Sequence, residues 1–204
     1  GRVVHPAGGH DSGTLVHAVL ALALEVDEMD SEQRPCIVHR LDKNTSGIIL
    51  VSKNDRSHRW LQDQFKQRLV KKVYLALVDG HPPTPDGRIE APIARDSTHR
   101  KKMSVVSPGR GRDSVTEYQV IEHFKEHDLL EAVPLTGRTH QIRLHLAFIG
   151  CPIVGDTVYG RRRATLPLGR HFLHAACLTI RLLGEEQPRT FEAPLPGDLE
   201  TVLH

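Results

Sequence analysis

The clearest alternation of apolar and polar positions runs through residues 71–80, KKVYLALVDG. Val73, Leu75 and Leu77 share one side of an extended segment, and Tyr74, Ala76 and Val78 share the other, so a strand is predicted there. RIEAPIARD (88–96), DSVTEYQVIEHF (113–124), LLEAVPL (129–135) and ACLTIRLL (176–183) also read as strands, with a short RTFEAPLP near the end. CIVHRLD (36–42) and GIILVSK (47–53) look like two further short strands. Helical spacing appears in three places. Asp11 or Ser12 can cap a helix through about Glu25, with Leu15, Val16, Val19, Leu22, Ala23 and Val26 giving a broad apolar face. Residues 55–69 place Trp60, Leu61, Phe65 and Leu69 along one side. Thr136 or Thr139 starts a third helix running to Ile149, with Gly150 at its C-terminal cap. The segments 27–35 and HPPTPDG (81–87) are loops. Many strands with three or four helices between them predict an α+β fold with a mixed, largely antiparallel sheet.

Composition changes this picture little. The chain has 204 residues, 39% of them hydrophobic, which is enough for one sizeable core. It has no repeats and no clean linker. No apolar run approaches membrane-spanning length, and no signal-peptide segment opens the chain. Three widely spaced cysteines, Cys36, Cys151 and Cys177, form no CxxC pair and point to a reducing compartment, the cytoplasm. A monomer is the default expectation. The net charge of +2 says little, but the cations cluster in KQRLVKK (66–72), RDSTHRKK (95–102), GRGR (109–112) and RRR (161–163). Such clusters suit a phosphate backbone, although each alone is more often a solvated surface. Aromatics are only 4%, which argues against a base-stacking platform.

The densest polar stretch is HRLDKNTSG (39–47), placed directly before an apolar run. Asp42, Asn44, Ser46 and Gly47 match the start of a calcium loop, but its twelfth position is Lys53 where a bidentate Glu is required. An ordinary turn explains the residue types, since Asp, Asn, Ser and Gly are turn formers. It does not explain the second Arg-rich loop, LTGRTHQIRLH (135–145). There Arg143 falls in the first turn of the predicted helix, where the macrodipole disfavours a cation unless an anion lies opposite. Asp42 is the natural anion, and a bidentate pair would orient its carboxylate as a poised nucleophile or base.

These motifs resemble the RluA family of pseudouridine synthases. HRLDKNTSG is similar to the family's aspartate signature, KKVYLALVDG to its tyrosine motif, and TGRTHQIRLHLAFIGCPIVGDTVYG to its third motif. HFLHAACLTI with FEAPLP, and VVHPAGGHDSGTLVHAVL, are similar to the family's late and early segments, so the resemblance covers nearly the whole chain in order. The string looks closest to the group that modifies large-subunit (23S) ribosomal RNA. The resemblance implies a sheet with flanking helices around a central cleft, one catalytic domain over residues 1–204, and RNA as partner. It also implies a first strand before Gly1 and, upstream, the S4-type RNA-binding domain that such proteins often carry. The implied reaction detaches uracil at N1, turns it and rejoins it through C5, with no cofactor or metal. By this resemblance Asp42 is the essential aspartate, acting at the sugar C1′ or C2′. Tyr74 stacks on the uracil and is a candidate to take the C5 proton, and Arg143 pairs with the aspartate. Arg40 occupies the gap left by a flipped base. His39 and Thr45 shape or line the substrate loop. His140 and Gln141 are candidates to bind phosphate or order Arg143, Arg138 to bind substrate, and Lys101 and Lys102 to bind the RNA backbone.

Other chemistries fit the sequence less well. GRGRDS lacks the third glycine of a dinucleotide fingerprint. His171, His174 and Cys177 lie on one strand-like run and do not converge as zinc ligands. A hydrolase pairing Asp42 with Asp156, and an RNA-binding domain without chemistry, are the alternative functions.

Overall fold

The computed structural model of the protein describes residues 37–99 and 102–204. The expected helix ending at Glu25, the loop 27–35, Cys36 and Lys101 lie outside the described residues. One sheet runs in the order β1 (Ser46–Gly47), β8 (Leu173–Ile180), β2 (Lys71–Asp79), β7 (His127–Pro134), β6 (Val115–His123) and β3 (Asp86–Glu90). β9 (Arg189–Glu192) also pairs with β8. Only the β1–β8 pairing is parallel, so the sheet is mixed and largely antiparallel, as expected. β4 (Ile93–Arg95) and β5 (Met103–Val105) form a separate two-stranded ribbon.

The strand patterns explain the layers. In β6, Thr116 and Tyr118 are buried while Gln119 is exposed, a half-buried alternation. β2 is apolar on both faces, and Ala76, Leu77 and Val78 are all buried. The main core joins these to Leu130, Ile153, Val154, Phe172 and Leu199, and Ile142 and Leu146 of a helix pack onto it. That helix is α2 (Gln141–Phe148); α1 (Asp55–Lys66) and the short α3 (Gly197–Glu200) are the others among the described residues. A second cluster sets Leu61 of α1 against Val70, Leu178 and Ile180. Asn54 caps α1 by accepting from the Ser57 N–H at 2.9 Å.

Four expectations are corrected. The described part of CIVHRLD, residues 37–42, and GIILVSK are mostly loop, joined among the described residues by an Ile37–Val51 bridge, because loop 39–45 is held by side chains rather than by a ladder. RIEAPIARD splits at Pro92, which lacks an N–H: its first part joins the main sheet and its second the ribbon. Leu69 is 56% exposed, since α1 stops at Lys66 and Arg68 reverses the chain at φ 59°. Neither Thr136 nor Thr139 caps α2. Its N-cap is His140, at φ 58° and without a side-chain cap, while Thr136 is buried against Gln141. Gly150 does end α2 in the left-handed region, at φ +84°.

Candidate active site

The site is built around one buried cation. Arg143 is the third residue of α2 and its side chain is 6% exposed. Its Nε donates to Asp156 Oδ2 at 2.7 Å and its Nη2 to Asp156 Oδ1 at 2.9 Å, a bidentate pair. Its remaining group, Nη1, reaches Asp42 Oδ2 at 3.4 Å. The macrodipole argument therefore holds, but the bidentate partner is Asp156 and not Asp42. Asp156 Oδ1 also accepts from the N–H groups of Val158 (2.8 Å) and Tyr159 (3.1 Å). Burial works against its charge, yet Arg143 and these N–H groups outweigh it and hold the carboxyl below its ordinary range. The same balance, burial outweighed by the two carboxylates, raises Arg143. A carboxylate so fully engaged cannot serve as a general acid, which removes the hydrolytic Asp42–Asp156 pair. The Tyr159 ring lies under the guanidinium at 5.1 Å.

Loop 39–45 presents Asp42, and its geometry is fixed from both ends. The Thr45 N–H donates to the Asp42 carbonyl at 3.0 Å, closing a turn through Asn44 at φ 73°. Arg170 Nη1 donates to the Asn44 carbonyl (3.0 Å) and Ser46 Oγ (3.1 Å). Thr45 Oγ1 pairs with His171 Nε2 at 2.8 Å, and Ser46 Oγ with His174 Nδ1 at 2.9 Å. His39 Nε2 accepts from the Leu50 N–H at 2.8 Å while its ring stacks on Phe65. Burial pushes His39 and His171 down to about 4, so both stay neutral near pH 7. Gly47 sits at φ +112°, and a Cβ there would meet the Ala175 carbonyl oxygen at 2.2 Å.

Asp42, 15% exposed, and Tyr74 share a cleft of about 470 Å³ that Arg40, Thr45, Lys72, Arg138 and His140 also line. Tyr74 is positioned by a bulge: the pairing of β2 with β8 shifts register between Val73 and Tyr74. Burial, followed by the nearby Asp42 charge, pushes its phenol up, so it is protonated at neutral pH. Lys72 is pushed down by burial. A second cleft of about 950 Å³ adjoins the first and is lined by Arg40, Arg95, Arg110, Arg112, Arg138 and His140.

A model of the RNA pseudouridylate synthases matches residues 3–148. The chain belongs to this family of synthases. It is 49% identical over its whole length to an uncharacterized RNA pseudouridine synthase of Chloroflexus aurantiacus. It is 41% identical, over 98% of its length, to the ribosomal large subunit pseudouridine synthase D of Zymomonas mobilis. The chain spans 63% and 65% of the lengths of those two relatives. Among solved structures it resembles human RNA pseudouridylate synthase domain containing 1, with TM-score 0.70, 34% identity, and coverage of 79% of this chain and 69% of that one. The α+β architecture is that of the synthase fold.

Within this synthase domain, three of the expected residues converge: Asp42, Tyr74 and Arg143. Arg40, exposed, lies where the two clefts meet, and Arg138 lines both while its Nε donates to the Asp113 carbonyl. Gln141 is corrected to a bracket. Its Oε1 accepts from Thr136 and the Arg138 N–H, and its Nε2 donates to Val115 O and Thr116 Oγ1, leaving it no donor for phosphate. His39 is likewise a wall residue whose acceptor is already used. His140 Nδ1 pairs with the Tyr159 hydroxyl at 2.8 Å, and burial lowers its pKa. Lys102 is exposed in the turn of the β4–β5 ribbon and lines neither cleft. His171 and His174, set aside as zinc ligands, face hydroxyl groups instead. Sequence reasoning missed the roles of Lys72, His171 and Tyr159. Their signals were adjacency to Tyr74 and membership in HFLHAACLTI and GDTVYG, which name a motif without naming contacts.

Proposed function

We propose that this chain isomerises uridine to pseudouridine within RNA, with large-subunit ribosomal RNA as the substrate class and Asp42 as the essential carboxylate. The observation that carries the reading is the triangle of Asp42, Arg143 and Tyr74. An acceptor-only carboxylate stands 3.4 Å from a buried cation, beside an aromatic ring in one cleft. The reaction needs that combination. The C1′–N1 bond breaks, a C1′–C5 bond forms, C5 loses its hydrogen and N1 gains one, so no electrons are exchanged and no redox cofactor is required. Asp42 acts at the ribose, by attack at C1′ or by taking the C2′ proton. Arg143 fixes its position and balances its charge. Tyr74, kept as the phenol, supplies a stacking surface for the uracil while it is detached and turned. The cleft falls in the usual size range for small-molecule sites, about 300–1,000 Å³, and holds one extruded base rather than a duplex. Arg40 stands at its mouth to occupy the place of that base. The name of the Zymomonas relative supports ribosomal RNA as substrate.

Tritium at uracil C5 is released only if the new carbon–carbon bond forms there. Large-subunit RNA so labelled is expected to lose tritium with the wild-type chain and to keep it with Asp42→Asn, which should still fold and bind RNA. Release by Asp42→Asn, or none by wild type on either ribosomal or total RNA, would sink the reading.

A further inference from the structure

The far end of the sheet carries a second cluster of chemically capable side chains, unrelated to the cleft. His81 follows β2, His123 ends β6 and Asp128 lies near the start of β7, so all three sit at the ends of their strands opposite Tyr74 and Pro134. His81 Nδ1 and His123 Nδ1 each lie 2.9 Å from the same oxygen, Asp128 Oδ1. The three ligand atoms are all within 4.8 Å of one another. The Asp128 side chain is 1% exposed, and its other oxygen, Oδ2, finds no hydrogen-bond partner among the described residues. Both imidazoles are exposed, at 51% and 68%.

We propose that His81, His123 and Asp128 bind one divalent transition-metal ion of the zinc type. The donor set, two imidazole nitrogens and one carboxylate oxygen, suits Zn²⁺ and its neighbours and not Mg²⁺ or Ca²⁺, which prefer all-oxygen shells. The geometry is close to what is needed. A tetrahedral ion with bonds of about 2.1 Å separates its ligand atoms by about 3.4 Å, so each imidazole has to withdraw from Oδ1 by about 0.5 Å and the two Nδ1 atoms, within 4.8 Å of one another, have to come to the same spacing. The rings are exposed, although His81 also bonds the Lys125 backbone, and the buried Asp128 is the anchor. Each Nδ1 then offers its lone pair, and a neutral ring needs only to carry its proton on Nε2 instead. A buried carboxylate is costly to keep charged, and a dication bound at Oδ1 offsets that cost. The open coordination positions face solvent. The ion would pin the connection after β2 to the β6–β7 hairpin, well away from Asp42. Positions 81, 123 and 128 have no recognised ligand spacing, so no motif announced them.

The test is calorimetric titration of the full chain with ZnCl₂, with thermal unfolding beside it. One Zn²⁺ per chain and a rise in Tm are expected, and Mg²⁺ at the same concentration should give neither. In the His81→Ala/His123→Ala double variant, zinc affinity should fall by at least about tenfold and the Tm rise should vanish. In wild type, Zn²⁺ should also shield His81 and His123 from diethyl pyrocarbonate, read by mass spectrometry. This arm decides the question even if the double variant fails to fold. No saturable binding, equal binding by the double variant through other histidines, or unshielded His81 and His123 would each overturn the proposal.

Discussion

At the scale of single residues, the site turns on how Arg143 divides its donors. Two nitrogens serve Asp156 and one serves Asp42, so Asp156 aims the guanidinium and Asp42 receives it. Asp156→Ala leaves the buried Arg143 only its 3.4 Å contact with Asp42, so it should destabilise the fold by about 3 kcal/mol. The double change Asp156→Leu/Arg143→Leu removes the buried pair and should recover much of that loss, while turnover stays abolished. Thermal unfolding and tritium release measured on the same samples separate the two effects. Equal instability in the double variant would mean that the pair's hydrogen bonds, not its unpaired charge, set the cost. His171 gives a pH prediction. Its pKa is about 4 in the fold and near 6.5 unfolded, so below pH 6.5 the unfolded chain binds more protons. Its contribution is full above pH 6.5 and declines as pH falls toward 4, by up to about 3 kcal/mol. Denaturant melts across that window should show the loss, which His39 shares, and His171→Gln should remove about half of it. The Asp42–Arg143 contact was legible in sequence because a cation in the first turn of a helix calls for an anion opposite, whereas Tyr74 was named only through the resemblance to the synthase family. The Arg143–Asp156 pairing was not, since two carboxylates in sequence competed for one cation and only packing chose between them.

At the scale of elements, periodicity identified β2 and β7 because these strands bury one or both faces along most of their length, and β6 through the alternation that buries Thr116 and Tyr118. It failed around residues 36–53, where the apolar runs flank a loop that is tied by His39, Thr45, Ser46 and Arg170 to distant residues. Long-range side-chain tethers leave no period. Pro92 and the turn at Arg68 shortened two other elements, and both are local breakers that a period count overlooks. The parallel β1–β8 contact is the element that delivers Asp42, and it closes at Gly47 against the Ala175 backbone. Gly47→Ala combines a disfavoured φ with a backbone clash and should cost more than about 1 kcal/mol. Because the loop moves with β1, it should also cost turnover on the order of a hundredfold, the scale expected for misplacing a catalytic group by about 1 Å. Stability and tritium release on that variant check both; wild-type activity would show that β1 does not set the position of Asp42.

At the scale of the whole molecule, the sheet separates its basic residues into two groups. Arg161 lies at the far end, its Nε 3.8 Å from Asp79, next to the exposed Arg162 and Arg163. Arg40, Arg95, Arg110, Arg112 and Arg138 line the cleft that adjoins Asp42. RNA threaded past the active cleft therefore meets the second group and not the first, although the sequence shows both as equal clusters. Each phosphate contact contributes a log–log salt slope of about 0.7 for a single strand and 0.9 for a duplex. Arg110→Ala/Arg112→Ala should weaken RNA binding and reduce that slope by about 1.4–1.8 if each arginine holds one phosphate. Release of tritium from saturating RNA should be little changed, because neither residue touches Asp42 or Tyr74. Arg162→Ala/Arg163→Ala should leave affinity and slope as they are. Filter binding over a series of salt concentrations distinguishes the pairs. The reverse result would place the RNA along the Asp79 end of the sheet, where the chain reaches Asp42 only by bending around the molecule.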